Sequence, residues 1–85
     1  MNFQVGDNIY KITGKTINTD AKYIIKEIIK DDSYGSWHDN YAIEYSALVE
    51  NNISKDEEKI LLYYGSSINN IYEIYAIKVQ DYNNR

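Results

Sequence analysis

The chain contains no cysteine and no proline, and only one arginine, one histidine and one tryptophan. Without cysteine there is no disulfide, no thiolate metal site and no cysteine nucleophile. Small extracellular domains lean on such staples, so an 85-residue chain that lacks them is expected to work in the cytoplasm, here of a bacterial host. No basic start leads into an apolar run, and no stretch is apolar for the length a membrane span needs, so neither a signal peptide nor a membrane association is expected. Cations are scarce as well: nine Lys and Arg stand against thirteen Asp and Glu, a net charge of −4. Affinity for nucleic acid comes mainly from Lys and Arg meeting phosphates, so direct nucleic-acid binding is not expected. There is no Gly-rich phosphate loop, no G-x-S-x-G elbow and no H-E-x-x-H. With one histidine and no cysteine, the usual nucleophile–base pairs are missing, and neither an enzyme nor a cofactor is expected.

What the chain does have is isoleucine and tyrosine. Fourteen Ile and ten Tyr stand beside only three Leu, within a 44% hydrophobic composition. Both residue types fit pleated, half-buried surfaces, which leans the reading towards sheet. Ten Asn with a single Arg give the A/T-rich codon usage of a low-GC bacterium, or of a phage or mobile element living in one. No linker, low-complexity tract or internal repeat divides the chain, so residues 1–85 are expected to form one domain.

Residues 8–13, "NIYKIT", read as a strand that starts after the Gly6-Asp7 turn signal and stops at Thr13-Gly14. The opening "VGDNIYKI" resembles the first strand of many SH3-like small barrels. Residues 20–30, "DAKYIIKEIIK", place Ala21, Ile24, Ile25, Ile28 and Ile29 on one helical face, with Thr19 or Asp20 as cap. Four β-branched Ile argue for a strand instead, but each strand face would then carry charge, and period favours helix. Residues 41–49, "YAIEYSALV", alternate as a strand. Ser54 three residues before Glu57 forms a capping box, Asp56, Glu57 and Glu58 suit a helix N-terminus, and Gly65 is placed to end a helix over 54–64. The alternative is a strand through "KILLYY" with "GSSINN" as a hairpin loop. Residues 71–80, "IYEIYAIKVQ", read as a central strand. The expected fold is α+β, a small antiparallel sheet of three to five strands with one or two short helices; the alternative is an all-β, SH3-like small barrel.

The segment "DDSYGSWHDNY", residues 31–41, carries the only Trp and the only His. His38 beside Asp39 has the elements of a general base or metal ligand, but there is no second His at ligand spacing, and an exposed loop His is the simpler reading. Read as an EF-hand from Asp31, the sixth position is Ser36 and the twelfth Ala42, and the motif fails. Glu44 and Glu73 sit mid-strand, where paired carboxylates act in hydrolases, although solvent-facing Glu is ordinary in strands. Tyr34, Trp37, Tyr41, Tyr63, Tyr64, Tyr72, Tyr75 and Tyr82 are more aromatic surface than a small core buries whole. Tyr and Trp dominate binding hot spots, and Tyr34 and Trp37 flank Gly35-Ser36.

The expected role is therefore a non-enzymatic, acidic protein-binding module: an inhibitor from a phage or mobile element, of anti-CRISPR or other anti-defence type, that occludes a host protein with a basic functional surface. Its expected binding residues are Tyr34, Trp37, His38, Asp39, Tyr41, Asp56, Glu57 and Glu58. The alternative is a β-rich domain that sequesters a small ligand or nucleotide, acting as a homo-oligomer.

Overall fold

A computed structural model describes residues 3–34, 41–67 and 70–84, with the backbone alone at positions 32–34 and 41. Six strands and one short helix follow in order: β1 (Asn8–Thr13), β2 (Thr16–Tyr34), β3 (Tyr41–Asn51), β4 (Glu57–Ser66), β5 (Ile71–Ile74), β6 (Ala76–Lys78) and α1 (Val79–Asn83). The strands form one antiparallel sheet in the order β5-β4-β3-β2-β1-β6. The α+β expectation is overturned: among the described residues the only helix has five residues, and the strands number six. The all-β alternative is closer, but the sheet is not a closed barrel. Its outermost strands are consecutive pieces of one segment, and Tyr75 between them spans the gap: its N–H donates to the Leu62 carbonyl at 2.9 Å, and its carbonyl accepts from Ile12 N–H at 2.8 Å. One residue joins the two edges where a barrel would need a ladder.

The core lies on the inner face of this curled sheet. Ile9, Ile25, Ala47, Val49 and Leu62 are fully buried together with Ala76, and Phe3, Tyr23, Ile28, Tyr45 and Ile60 pack against them. Tyr10 is buried as well, against α1, where it meets the Tyr82 ring edge-to-face at 5.3 Å.

The helix expected over 20–30 is instead the middle of β2, and a bulge explains the misleading period. Ile25 pairs with Val49 and Glu27 with Leu48, so one extra residue sits at this point in β2. Beyond it, Ile28 pairs with Ala47. Ile25 and Ile28 thus share the inner face at a spacing of three, which a regular strand forbids and a bulged strand permits. Lys26 and Glu27 are exposed, which removes the objection that both strand faces would carry charge.

The helix expected over 54–64 is also a strand, reached through a turn. Asn51 Oδ1 accepts from the N–H groups of Ile53 (2.8 Å) and Ser54 (3.1 Å), and Asp56 N–H donates to Ser54 Oγ at 3.3 Å. Ser54 does accept a backbone N–H, as a cap would, but two residues on and inside a hairpin turn, with Lys55 at φ 66°. The end of "KILLYY", Tyr63 and Tyr64, together with Gly65 and Ser66, then pairs with β5, so Gly65 and Ser66 belong to the strand rather than to a loop.

The supposed central strand, 71–80, breaks at Tyr75 into both outer strands and then α1. Ile71, Tyr72 and Ile74 are 39%, 54% and 59% exposed, the signature of an edge. The first hairpin follows the sequence: Thr13 pairs with Thr16 across Gly14-Lys15, with Gly14 at φ 62° as the first central residue, the arrangement of a II′ turn.

Candidate functional site

Cross-strand register decides which side chains meet, because directly opposed residues point to the same face. One inner-face row runs across four strands: Lys30 opposite Tyr45, Tyr45 opposite Tyr63, and Tyr63 opposite Ile74. The Tyr45 and Tyr63 rings lie 6.1 Å apart with a 54° tilt, and Lys30 Nζ lies 5.8 Å from the Tyr45 centroid, within cation–π range. The next row holds Ile43, Gly65 and Tyr72. A Cβ built on Gly65 would stand 2.7 Å from the Tyr63 hydroxyl and 3.1 Å from its ring. The Tyr63 ring therefore lies flat along the sheet over the glycine, a placement that any larger residue at 65 would disturb.

The row leads into a groove of about 480 Å³ lined by Phe3, Ile12, Tyr63, Ile74, Ala76 and Ile77, with Lys78 and Asp81 as its charged members. The volume falls within the ~300–1,000 Å³ of ordinary small-molecule sites, and the lining is mostly apolar, as such sites require. Lys78 is held by Asp7, Nζ to Oδ2 at 3.4 Å. The groove exists because the segment 71–78 leaves β4 for β1 at Tyr75, so that Ile74 and Ile77 come to the same opening from two different strands.

The opposite, outer face carries carboxylates. Asp31 is opposite Glu44, Glu44 opposite Tyr64, and Tyr64 opposite Glu73. Glu44 and Glu73 do share a face, but Tyr64 separates them. Tyr75 donates its phenol proton to Glu73 Oε2, and this hydrogen bond raises the phenol above its ordinary 10.0. Among the described residues no group of three or more His, Asp or Glu is arranged to hold a metal ion.

Of the binding residues expected from sequence, Trp37, His38 and Asp39 lie outside the described residues. Tyr34 and Tyr41 are register partners where β2 and β3 meet, so residues 31–34 and 41 belong to strands rather than to a loop. Asp56, Glu57 and Glu58 lie at the other end of β3, whose positions 41 and 50 are about 30 Å apart along the strand at ~3.3 Å per residue. Strand alternation also splits the acidic trio. Asp56 is in the turn, Glu57 is opposite Glu50 on the outer face, and Glu58 is opposite Val49 on the inner face, where it ion-pairs with Lys11. Lys11 Nζ also lies 4.5 Å from the Tyr23 centroid. Partial burial alone would lower the Lys11 pKa, but Glu58 and Tyr23 outweigh it, and the ammonium is held above its ordinary 10.5.

The groove residues were not singled out from sequence, apart from Tyr63 among the surplus aromatics. Their signal is non-local: Phe3, Ile12 and Ile74 become neighbours only through the register of β1, β4 and the Tyr75 break. Comparison with protein-family models, with curated proteins and with solved structures finds no match.

Proposed function

We propose that this chain is a non-enzymatic, small-ligand-binding domain whose site is the groove beside Tyr63. The observation that carries the reading is a mostly apolar recess, opening off an aromatic row, in a domain small enough that such surface is costly to leave unfilled. The ligand that fits is compact, with an apolar or aromatic body to lie against Tyr63 and Ile74 and a donor group to meet Asp81. A nucleoside or flat amine suits this better than a nucleotide, because the groove's one lysine, Lys78, is held by Asp7 and little cation remains for a phosphate. The test is thermal unfolding against a panel of aromatic amines, nucleosides and nucleotides. A ligand at one hundred times its Kd adds about 2.7 kcal/mol. That corresponds to a rise of roughly 10–20 °C in a domain of this size, and it should be lost in Tyr63→Ala. A flat panel, or a shift that survives Tyr63→Ala, sinks the reading.

A second reading is favoured by the outer face. Asp31 and Glu44 stand opposite each other there, with Glu73 beyond Tyr64, an acidic surface of the kind that could cover a basic functional surface on a host protein, in the manner of anti-CRISPR and other anti-defence proteins of phages. Complementary charge would make such capture salt-sensitive. A pull-down from a low-GC bacterial lysate at low and moderate salt tests it: a partner retained equally at both would count against the electrostatic mechanism.

A further inference from the structure

The groove beside Tyr63 is lined by two charged side chains of opposite sign, and they are not equivalent. Lys78 is neutralised in place: its Nζ lies 3.4 Å from Asp7 Oδ2, which also accepts from Gln4 N–H at 2.8 Å. Asp81, in the first turn of α1, is exposed where it lines the groove. Among the described residues no hydrogen bond or ion pair reaches its carboxylate. The apolar recess therefore carries one uncompensated negative charge, in a chain whose net charge of −4 already draws cations towards it.

Two lysines of the same sheet show what its tyrosine rings accept. Lys11 Nζ lies 4.5 Å from the Tyr23 centroid and is ion-paired with Glu58, so a partly buried ammonium stands between a ring and a carboxylate. Lys30 Nζ lies 5.8 Å from the centroid of Tyr45, the residue directly opposite Tyr63. A tyrosine face attracts a cation through its ring quadrupole, and the attraction grows as water is excluded. The groove offers the same combination, a ring and a carboxylate, in Tyr63 and Asp81, while its own lysine is turned to Asp7.

We propose that the groove selects a small protonated amine, an ammonium on a short aromatic or alkyl body. Asp81 meets the ammonium, and Tyr63, Ile12, Ile74 and Ile77 hold the body. This inference rests on the groove reading and narrows its ligand class. A carboxylate or phosphate would meet Asp81 as a like charge, and Lys78 would have to leave Asp7 to answer it. An uncharged body of the same shape, a nucleoside included, gains the apolar contact alone. Only a cation gains from the ring, the carboxylate and the apolar wall together.

The test is an amide chemical-shift titration of the wild-type chain at neutral pH with three probes of one shape: phenethylamine, phenethyl alcohol and hydrocinnamate. They carry a positive, a neutral and a negative group at the end of the same body. The amine should bind about tenfold more tightly than the alcohol, the scale of one cation–π contact in a partly desolvated site. The acid should bind most weakly, and added salt should narrow the gap between amine and alcohol. The amides that move should centre on Tyr63, Ile74 and Ile77. Asp81→Asn, at an exposed position, should remove the preference for the amine. An alcohol that binds as tightly as the amine would overturn the cation selection and leave the groove reading standing, whereas no binding of any probe would overturn both. A preference that survives Asp81→Asn, or shifts centred away from the groove, would put the ammonium elsewhere and overturn the proposal as well.

Discussion

Replacing Gly65 by alanine tests how the aromatic row is seated. Gly65 is buried, and its backbone is not in the left-handed region, so alanine can adopt it without strain. In a strand interior, alanine is favoured over glycine by about 0.5–1 kcal/mol. Against this, the new methyl would come within 2.7 Å of the Tyr63 hydroxyl and 3.1 Å of the ring, so the ring must swing away. The movement costs the Tyr45–Tyr63 contact, about 0.5–1.5 kcal/mol, plus the burial of one ring face. The result falls within the ~1–3 kcal/mol typical of overpacking. Net destabilisation of about 1–2 kcal/mol is expected in the wild type, or a melting temperature lower by roughly 5–15 °C. In the Tyr63→Ala background there is no ring to displace, and the same substitution should stabilise by about 0.5–1 kcal/mol. The assay is urea unfolding of the four proteins of the cycle. The expected signature is a change of sign between backgrounds, a coupling larger than the ~0.5 kcal/mol scatter of independent sites. An equal effect of Gly65→Ala in both backgrounds would refute the placement of Tyr63 over the glycine.

Three other outcomes follow from the fold. Ile25→Ala should cost about 2–5 kcal/mol, because Ile25 is fully buried, whereas Ile24→Ala on the outer face should cost less than half as much; equal losses in chemical unfolding would argue against the strand assignment. Asn51→Ala removes the acceptor for two backbone N–H groups in an exposed turn and should lower stability by about 1 kcal/mol, checked by the same unfolding curves. The Lys11 ammonium is held above its ordinary 10.5, so its contribution is complete below that pH and is lost as pH rises through the higher folded value. The difference in stability between wild type and Lys11→Met should shrink across that alkaline window. Tyr75 titrates in the same direction in both proteins, so the difference between them is the readout, and a constant difference would show that Glu58 and Tyr23 do not bias Lys11.

Local patterns were legible where a strand was regular. β1 and the start of β3 follow their alternation, and the Gly14 turn follows its residue type. The excess of Ile and Tyr pointed to sheet, and the sheet is what formed. The two helix expectations failed for one reason each. In β2 a bulge next to Ile25 turned a strand into an i, i+3 pattern, so period alone could not separate the two. Before β4, Ser54 offered an acceptor that serves a hairpin turn as well as a helix cap, and pairing of Glu50 with Glu57 decided between them.

Composition by itself determined that this is a chain without disulfides and with a strong preference for pleated structure. Tertiary structure decided everything that depends on register. It put Phe3, Ile12 and Ile74 around one groove, laid Tyr63 over Gly65, sent Glu57 and Glu58 to opposite faces, and made β5 the outermost strand of the sheet order. Backbone preference is a property of a few adjacent residues, so it can be read along the chain. A surface made by six paired strands depends on which residue stands opposite which, and one bulged residue is enough to change the answer.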